Sequence, residues 1–161
     1  MDVATHWDEL RAFFNGGATC VFASVGKDGA PHATPIGSLF LTEPGRGFYL
    51  EKFPTTMPRD FSENRSLCIY GSGLTRWRFL LALIRCEFAA SPGYRLYGRA
   101  GERREATPGE LAAFAGRTRL FRGFKGARML WSGMRHARDL FIERADGLNL
   151  GALSYKEKGR A

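Results

Sequence analysis

Three histidines, three cysteines and a run of arginines set among aromatic residues are the chemically versatile side chains of this 161-residue chain. His6, His32 and His136 stand in separate segments, with no metal-ligand spacing and no evident carboxylate partner. His32 is read first as a strand or hydrogen-bonding residue rather than as a catalytic one. Cys20, Cys68 and Cys86 are odd in number and form no CxxC pair, which argues against a disulfide framework or a structural zinc site and fits a reduced, cytoplasmic setting. Nucleophile-elbow, P-loop, HExxH and GxGxxG patterns are all missing from the sequence. No catalytic residue and no metal ligand is therefore assigned. A chain with so few catalytic side chains suits chemistry that a bound cofactor carries and the protein orients.

Two stretches offer places to bind something. In "DGAPHATPIGSLFL" (28–41), Pro35 cannot donate a ladder hydrogen bond and Gly37 has no side chain. The segment Thr34, Pro35, Ile36, Gly37, Ser38 can then present an open edge that a ligand approaches closely; a plain edge strand or bulge reads the same way. In "GRTRLFRGFKGARMLWSGMRHARD" (116–139), cations alternate with Phe121, Phe124 and Trp131. That pattern suits base stacking with phosphate contacts, or the mouth of a site for an acidic or aromatic small molecule, or simply a solvated face. Charge is uneven: residues 1–72 hold six Lys/Arg against eight Asp/Glu, whereas residues 117–144 hold eight against two, within a net charge of +8. Such a cluster attracts phosphates, acidic cofactors or nucleic acid.

The elements that would position these residues are mostly strands. Thr5 is placed to cap a helix whose apolar residues Trp7, Leu10, Phe13 and Phe14 recur at helical spacing before Gly16-Gly17 ends it. Strands are expected at 18–26, 32–41 and 47–53, joined by turns at Asp28-Gly29 and at 43–47, as an antiparallel meander. A short helix over Pro58–Glu63 precedes a strand at 66–72. A fifth strand spans 94–105 with a bulge or bend at Gly98. Thr107-Pro108-Gly109-Glu110 reads as a capping box, so a helix runs to about Ala115, and a sixth strand lies at 138–145. Six strands with short helices predict a mainly β chain, a small antiparallel Greek-key-like barrel, with residues 1–161 as a single domain. Between the fourth and fifth strands, Trp77, Leu80, Leu81 and Ile84 fall at i, i+3, i+4 and i+7, so a helical insertion is expected within 73–91. It packs on a dimer partner, lids a groove, or packs on the core. The apolar run Phe79–Ile84 is far short of the roughly 20 residues a membrane span needs. Asp2, Asp8 and Glu9 stand where a signal peptide would be basic.

The order of these elements, with "ATCVFASVGKDGAPHATPIG", "GFYLEKF", "SLCIY" and "YRLYGRA" as they stand in the chain, resembles the FMN-binding split barrels, the superfamily of pyridoxamine 5′-phosphate oxidase. The resemblance covers roughly residues 5–118, with the strand at 138–145 a looser match. It implies a homodimeric split barrel with FMN in grooves at the subunit interface, and redox chemistry at the flavin on a small substrate. It places the flavin ring along Thr34, Pro35, Ile36, Gly37 and Ser38, with Glu51 and Lys52 at the end of the third strand. Where relatives carry a Ser-Arg-Lys-like phosphate segment, this chain has Thr55-Thr56-Met57, so that Lys52 and Arg59 flank the hydroxyls of Thr55 and Thr56 as the available cations. Within the basic connecting segment 117–137 and just beyond it, Trp131, Arg135 and Arg138 are implied to complete a substrate or partner-subunit site. The same fold takes haem or a deazaflavin in some relatives; a non-catalytic flavin carrier and a nucleic-acid-binding module are the other readings.

Overall fold

The chain begins with α1 (Trp7–Asn15), which leads into β1 (Thr19–Val25), β2 (Pro31–Pro35), β3 (Leu39–Leu41) and β4 (Arg46–Glu51). Then come α2 (Thr56–Glu63), β5 (Ser66–Ser72), α3 (Arg76–Arg85), β6 (Gly93–Glu105), α4 (Pro108–Arg117), a 3₁₀ turn (Arg119–Phe121), α5 (Lys125–Trp131) and β7 (His136–Gly147). This computed structural model describes residues 1–52 and 55–151. The end of the expected third strand at Phe53 lies outside the described residues.

All seven strands join one antiparallel sheet in the order β2-β1-β5-β6-β7-β4-β3. The expected strand at 32–41 is two strands, which raises the count from six to seven. Its first half pairs with β1, Thr34 opposite Phe22, and its second half with β4, Leu39 opposite Tyr49. Pro35 brings no N–H to a ladder. Ile36 N still donates to Cys20 O at 3.0 Å, and the Ser38 hydroxyl then donates to Leu50 O at 2.8 Å. The two edges of the sheet are thus consecutive in the chain, and the sheet curls so that they meet at residues 36–38. That is a split barrel.

Local chemistry explains most boundaries. Gly29 takes φ +79° in the β1–β2 turn, where the Asp28 carboxylate accepts from Ala30 N at 3.0 Å. At Gly98, where the register of β6 on β7 shifts, a Cβ would sit 1.9 Å from Phe141 O, so only glycine allows that approach. Thr107 and Glu110 form the capping box of α4. Thr5 does not cap α1: its backbone N–H and hydroxyl both donate to Asp2, and His6 occupies the cap position with its ring Nδ1 on Asp2 O at 3.0 Å rather than on the first turn of the helix.

Two apolar clusters follow from strand alternation. Inside the curl, Phe22, Leu39, Leu41, Tyr49, Ile69, Leu96 and Leu140 pack with Trp7, Leu10 and Phe14 of α1 and Met57 and Phe61 of α2. Outside it, Phe48, Leu50 and Ala137 pack under Phe114 of α4.

Candidate functional site

Helix α4 is fastened at both ends, and this holds a wall of the site. At its start, Arg104 of β6 reaches Glu110 (2.6 and 2.9 Å) and Asp139 of β7 (2.6 and 3.1 Å), tying helix to sheet. These bonds keep the Glu110 carboxyl below its usual range, Arg104 being the largest cause. At its end, Arg117 donates to Leu39 O at 2.6 Å and lies 3.6 Å from the Phe40 ring centroid. Phe114 is thereby fixed beside Leu50, and it meets Trp131 of α5 edge to face at 6.0 Å.

Between this wall and the β2–β3 bend lies a cavity of about 390 Å³ lined by Thr34, Pro35, Ile36, Gly37, Ser38, Leu50, Lys52, Phe114, Leu130, Trp131 and Met134. That volume is in the range of small-molecule sites. A Cβ on Gly37 would meet nothing within 4 Å, so the bend faces open space there. Helix α5 forms the far side. Its last carbonyls are gathered by Lys52, whose Nζ donates to Leu130 O (3.2 Å), Met129 O (3.4 Å) and Ser132 O. A cation at that end of a helix also meets the negative pole of its dipole.

All five bend residues expected from the sequence thus share one cavity with Lys52 and Trp131. Leu50, Phe114, Leu130 and Met134 were missed. They are ordinary apolar residues whose only sequence signal is the pattern that also marks a core.

The other expected residues lie elsewhere. Glu51, neighbour of Lys52, faces the barrel interior: its carboxylate accepts from Tyr49 Oη (2.6 Å) and from Arg138 (2.8 and 3.3 Å), with Arg103 3.2 Å away. Arg138 completes its fork on Gly101 O at 2.9 Å. Burial works against the Arg138 charge, but the bonds and charge of Glu51 more than offset it and hold the pKa above its usual value. Burial first, then the Glu51 hydrogen bond, push the Tyr49 phenol far up. Thr55 and Arg59 are exposed and Thr56 half-buried at the start of α2; none of them lines the cavity, nor does exposed Arg135.

His32 proves to have a carboxylate partner that no local pattern announces. Asp60 of α2 accepts from His32 Nδ1 at 2.8 Å and from the Ser24 hydroxyl at 2.7 Å, while its Oδ1 is buried without a partner. Burial acts to raise the Asp60 pKa, but the bonds from Ser24 and His32 prevail and hold it below the usual range. Among the described residues no cluster of three or more His, Cys, Asp or Glu is placed to hold a metal ion. The basic run 117–144 is no uniform surface either, because Arg117 and Arg138 turn inward to carbonyls and a carboxylate.

Residues 7–140 match the family model described as pyridoxamine 5′-phosphate oxidase. No curated protein matches the chain. Among solved structures, an FMN-binding protein from Syntrophomonas wolfei is 11% identical with a TM-score of 0.64, over 91% of this chain and 94% of that one. HutZ, described as the haem storage protein of Vibrio cholerae, is 14% identical with a TM-score of 0.55, over 87% and 92%. A protein described as an F420 reductase is 9% identical with a TM-score of 0.51, over 84% and 94%. At these identities the likeness is one of fold.

Proposed function

The chain belongs to the pyridoxamine 5′-phosphate oxidase family, and from that premise we propose that it is a homodimeric flavoprotein that binds FMN at the β2–β3 bend and acts as an oxidoreductase on a small molecule. The observation that carries this reading is the cavity itself. A proline, a glycine with open space before it, an aromatic pair and aliphatic walls fit a flat aromatic ring, and one cation, Lys52, fits an anionic tail. Bound there, FMN would supply the hydride chemistry that the chain's own side chains lack.

The chain's part is to hold and shield. Ser38, bonded to Leu50 O, keeps the bend open towards the cavity. Phe114, Trp131 and Met134 exclude water from its far side. Lys52 meets a phosphate by exchanging one set of acceptors, the carbonyls of α5, for another. Thr55, Thr56 and Arg59 at the start of α2 are a second place for phosphate contacts. Exposed apolar residues of α5, Met129 and Leu130, and of the segment that leads into it, Leu120 and Phe124, support a partner copy covering this part of the chain.

A haem reading is less well served, because the cavity lining contains no histidine, cysteine or tyrosine, and the thioether of Met134 is the one axial-ligand type there. The decisive experiment is titration of the purified protein with FMN, riboflavin, F420 and haem, followed by absorbance and by mass in solution. Saturable FMN uptake, tighter than riboflavin uptake, by a particle of two chains is the expected result. A protein that takes up no flavin, or one that takes up haem alone, would overturn it.

A further inference from the structure

Helix α3 points its apolar stripe the wrong way for a helix packed on its own core. Trp77 and Ile84 are 75% and 70% exposed, and Leu80, Leu81, Leu83 and Phe79 between 45% and 49%. Ala82 is the one buried residue of the helix. At 100° per residue, Ala82 lies nearly opposite the stripe Trp77, Leu80, Leu81, Ile84, so the stripe faces away from the body. The orientation is held in place. Arg78 donates from the body-facing side to Gly73 O (2.7 Å) and Ser91 O (3.5 Å), and the Thr75 hydroxyl caps the first turn. Just beyond the helix, Phe88 is buried at 4% exposure and anchors the returning chain.

Charge narrows what covers this stripe. Arg76 and Arg85 flank it, and the sequence holds no Asp or Glu between Glu63 and Glu87. A second copy packed by two-fold symmetry, helix against helix, would bring like charges together at both ends of the contact. An anionic surface with an apolar interior does the opposite: it takes up the stripe, meets the flanking arginines and suits tryptophan at its boundary. No helix among the described residues is long and apolar enough to cross a membrane, so the mode is docking in the plane of the surface. We infer that α3 is a docking helix for an anionic lipid surface. It lies at the end of the sheet where β5 stops and β6 begins, whereas α5 and the cavity wall lead into the opposite end of β7.

The test is co-sedimentation of the full chain with vesicles of phosphatidylcholine alone and with added phosphatidylglycerol, together with quenching of tryptophan fluorescence by brominated lipid. Binding to the phosphatidylglycerol vesicles that weakens with salt is expected. Trp77→Ser/Ile84→Ser should abolish it, and Arg76→Glu/Arg85→Glu should weaken it by at least about tenfold. These four side chains make no core contact, and flavin uptake by both variants reports on folding independently of lipid. Wild-type protein that stays in the supernatant with anionic vesicles overturns the inference, as does equal sedimentation of the serine variant. If instead the serine substitutions halve the particle mass and no vesicle is bound, the stripe is an interface between copies and the lipid assignment is wrong.

Discussion

Strand β4 carries two kinds of site on its two faces. Inward, Tyr49 and Glu51 belong to a saturated network in which Arg138, Arg103 and a phenol share one carboxylate. Outward, Leu50 and, just past the strand's end, Lys52 belong to a cavity, where the lysine rests on helix carbonyls. Adjacent residues at the end of one strand thus serve opposite ends. The inner pair fixes the barrel, and the outer pair stays available for exchange. Chemical type alone did not separate them: Glu51 and Lys52 both look like binding residues until alternation assigns them to faces.

The contrast can be broken first from the inside. Arg138→Met leaves Glu51 buried with half-exposed Arg103 as its cation and the Tyr49 phenol as its donor, and a loss of about 3 kcal/mol in denaturant unfolding is expected. Arg103→Met should cost under ~1 kcal/mol, because water screens that arm. Asp60→Asn comes next, at about 2 kcal/mol, since Ser24 and His32 lose an ionised acceptor. It also has a pH signature. The folded carboxyl titrates below its unfolded value, so its stabilisation is present above about pH 4 and is lost as pH falls through the folded pKa. Acid unfolding curves of the variant should flatten in that window.

The outer face should respond in binding rather than stability. Lys52→Met is expected to weaken FMN about tenfold while leaving riboflavin unchanged, by fluorescence titration. Loss of both ligands alike would mean that the lysine only holds α5. Smallest in stability is Gly37→Val: open space receives the side chain, so unfolding should shift by less than ~0.5 kcal/mol, yet flavin affinity should fall as the methyls enter the cavity.

What could be read from the sequence follows the range of the interaction. The turn at Asp28-Gly29, the capping box at Thr107, the bulge at Gly98 and the strand at 66–72 were all legible, because each is dictated by residues within a few positions. Pro35 and Gly37 marked an irregular stretch in the expected strand at 32–41 for the same reason. The split of that strand between two partners was not legible, since Pro35 and Gly37 mark an interruption without saying which edge each half will join. His32 and Asp60 lie 28 residues apart, so nothing local links them. In α3 the spacing revealed the stripe and was silent on its direction, which depends on where Arg78 finds carbonyls.

The junction of β2 and β3 bears on how the chain reaches this form. The hairpins β1–β2 and β3–β4 close over short stretches, but seating them needs β1 on β5 and β4 on β7, where Arg46 meets Phe141. Those distant pairings carry most of the loop-closure entropy, so they set the folding rate. Residues 36–38 are held in place only when both hairpins are seated. A molecule bound at that junction clasps the first-formed pieces of the chain together, and its removal should show as faster opening of the seam with little change in the rate of collapse.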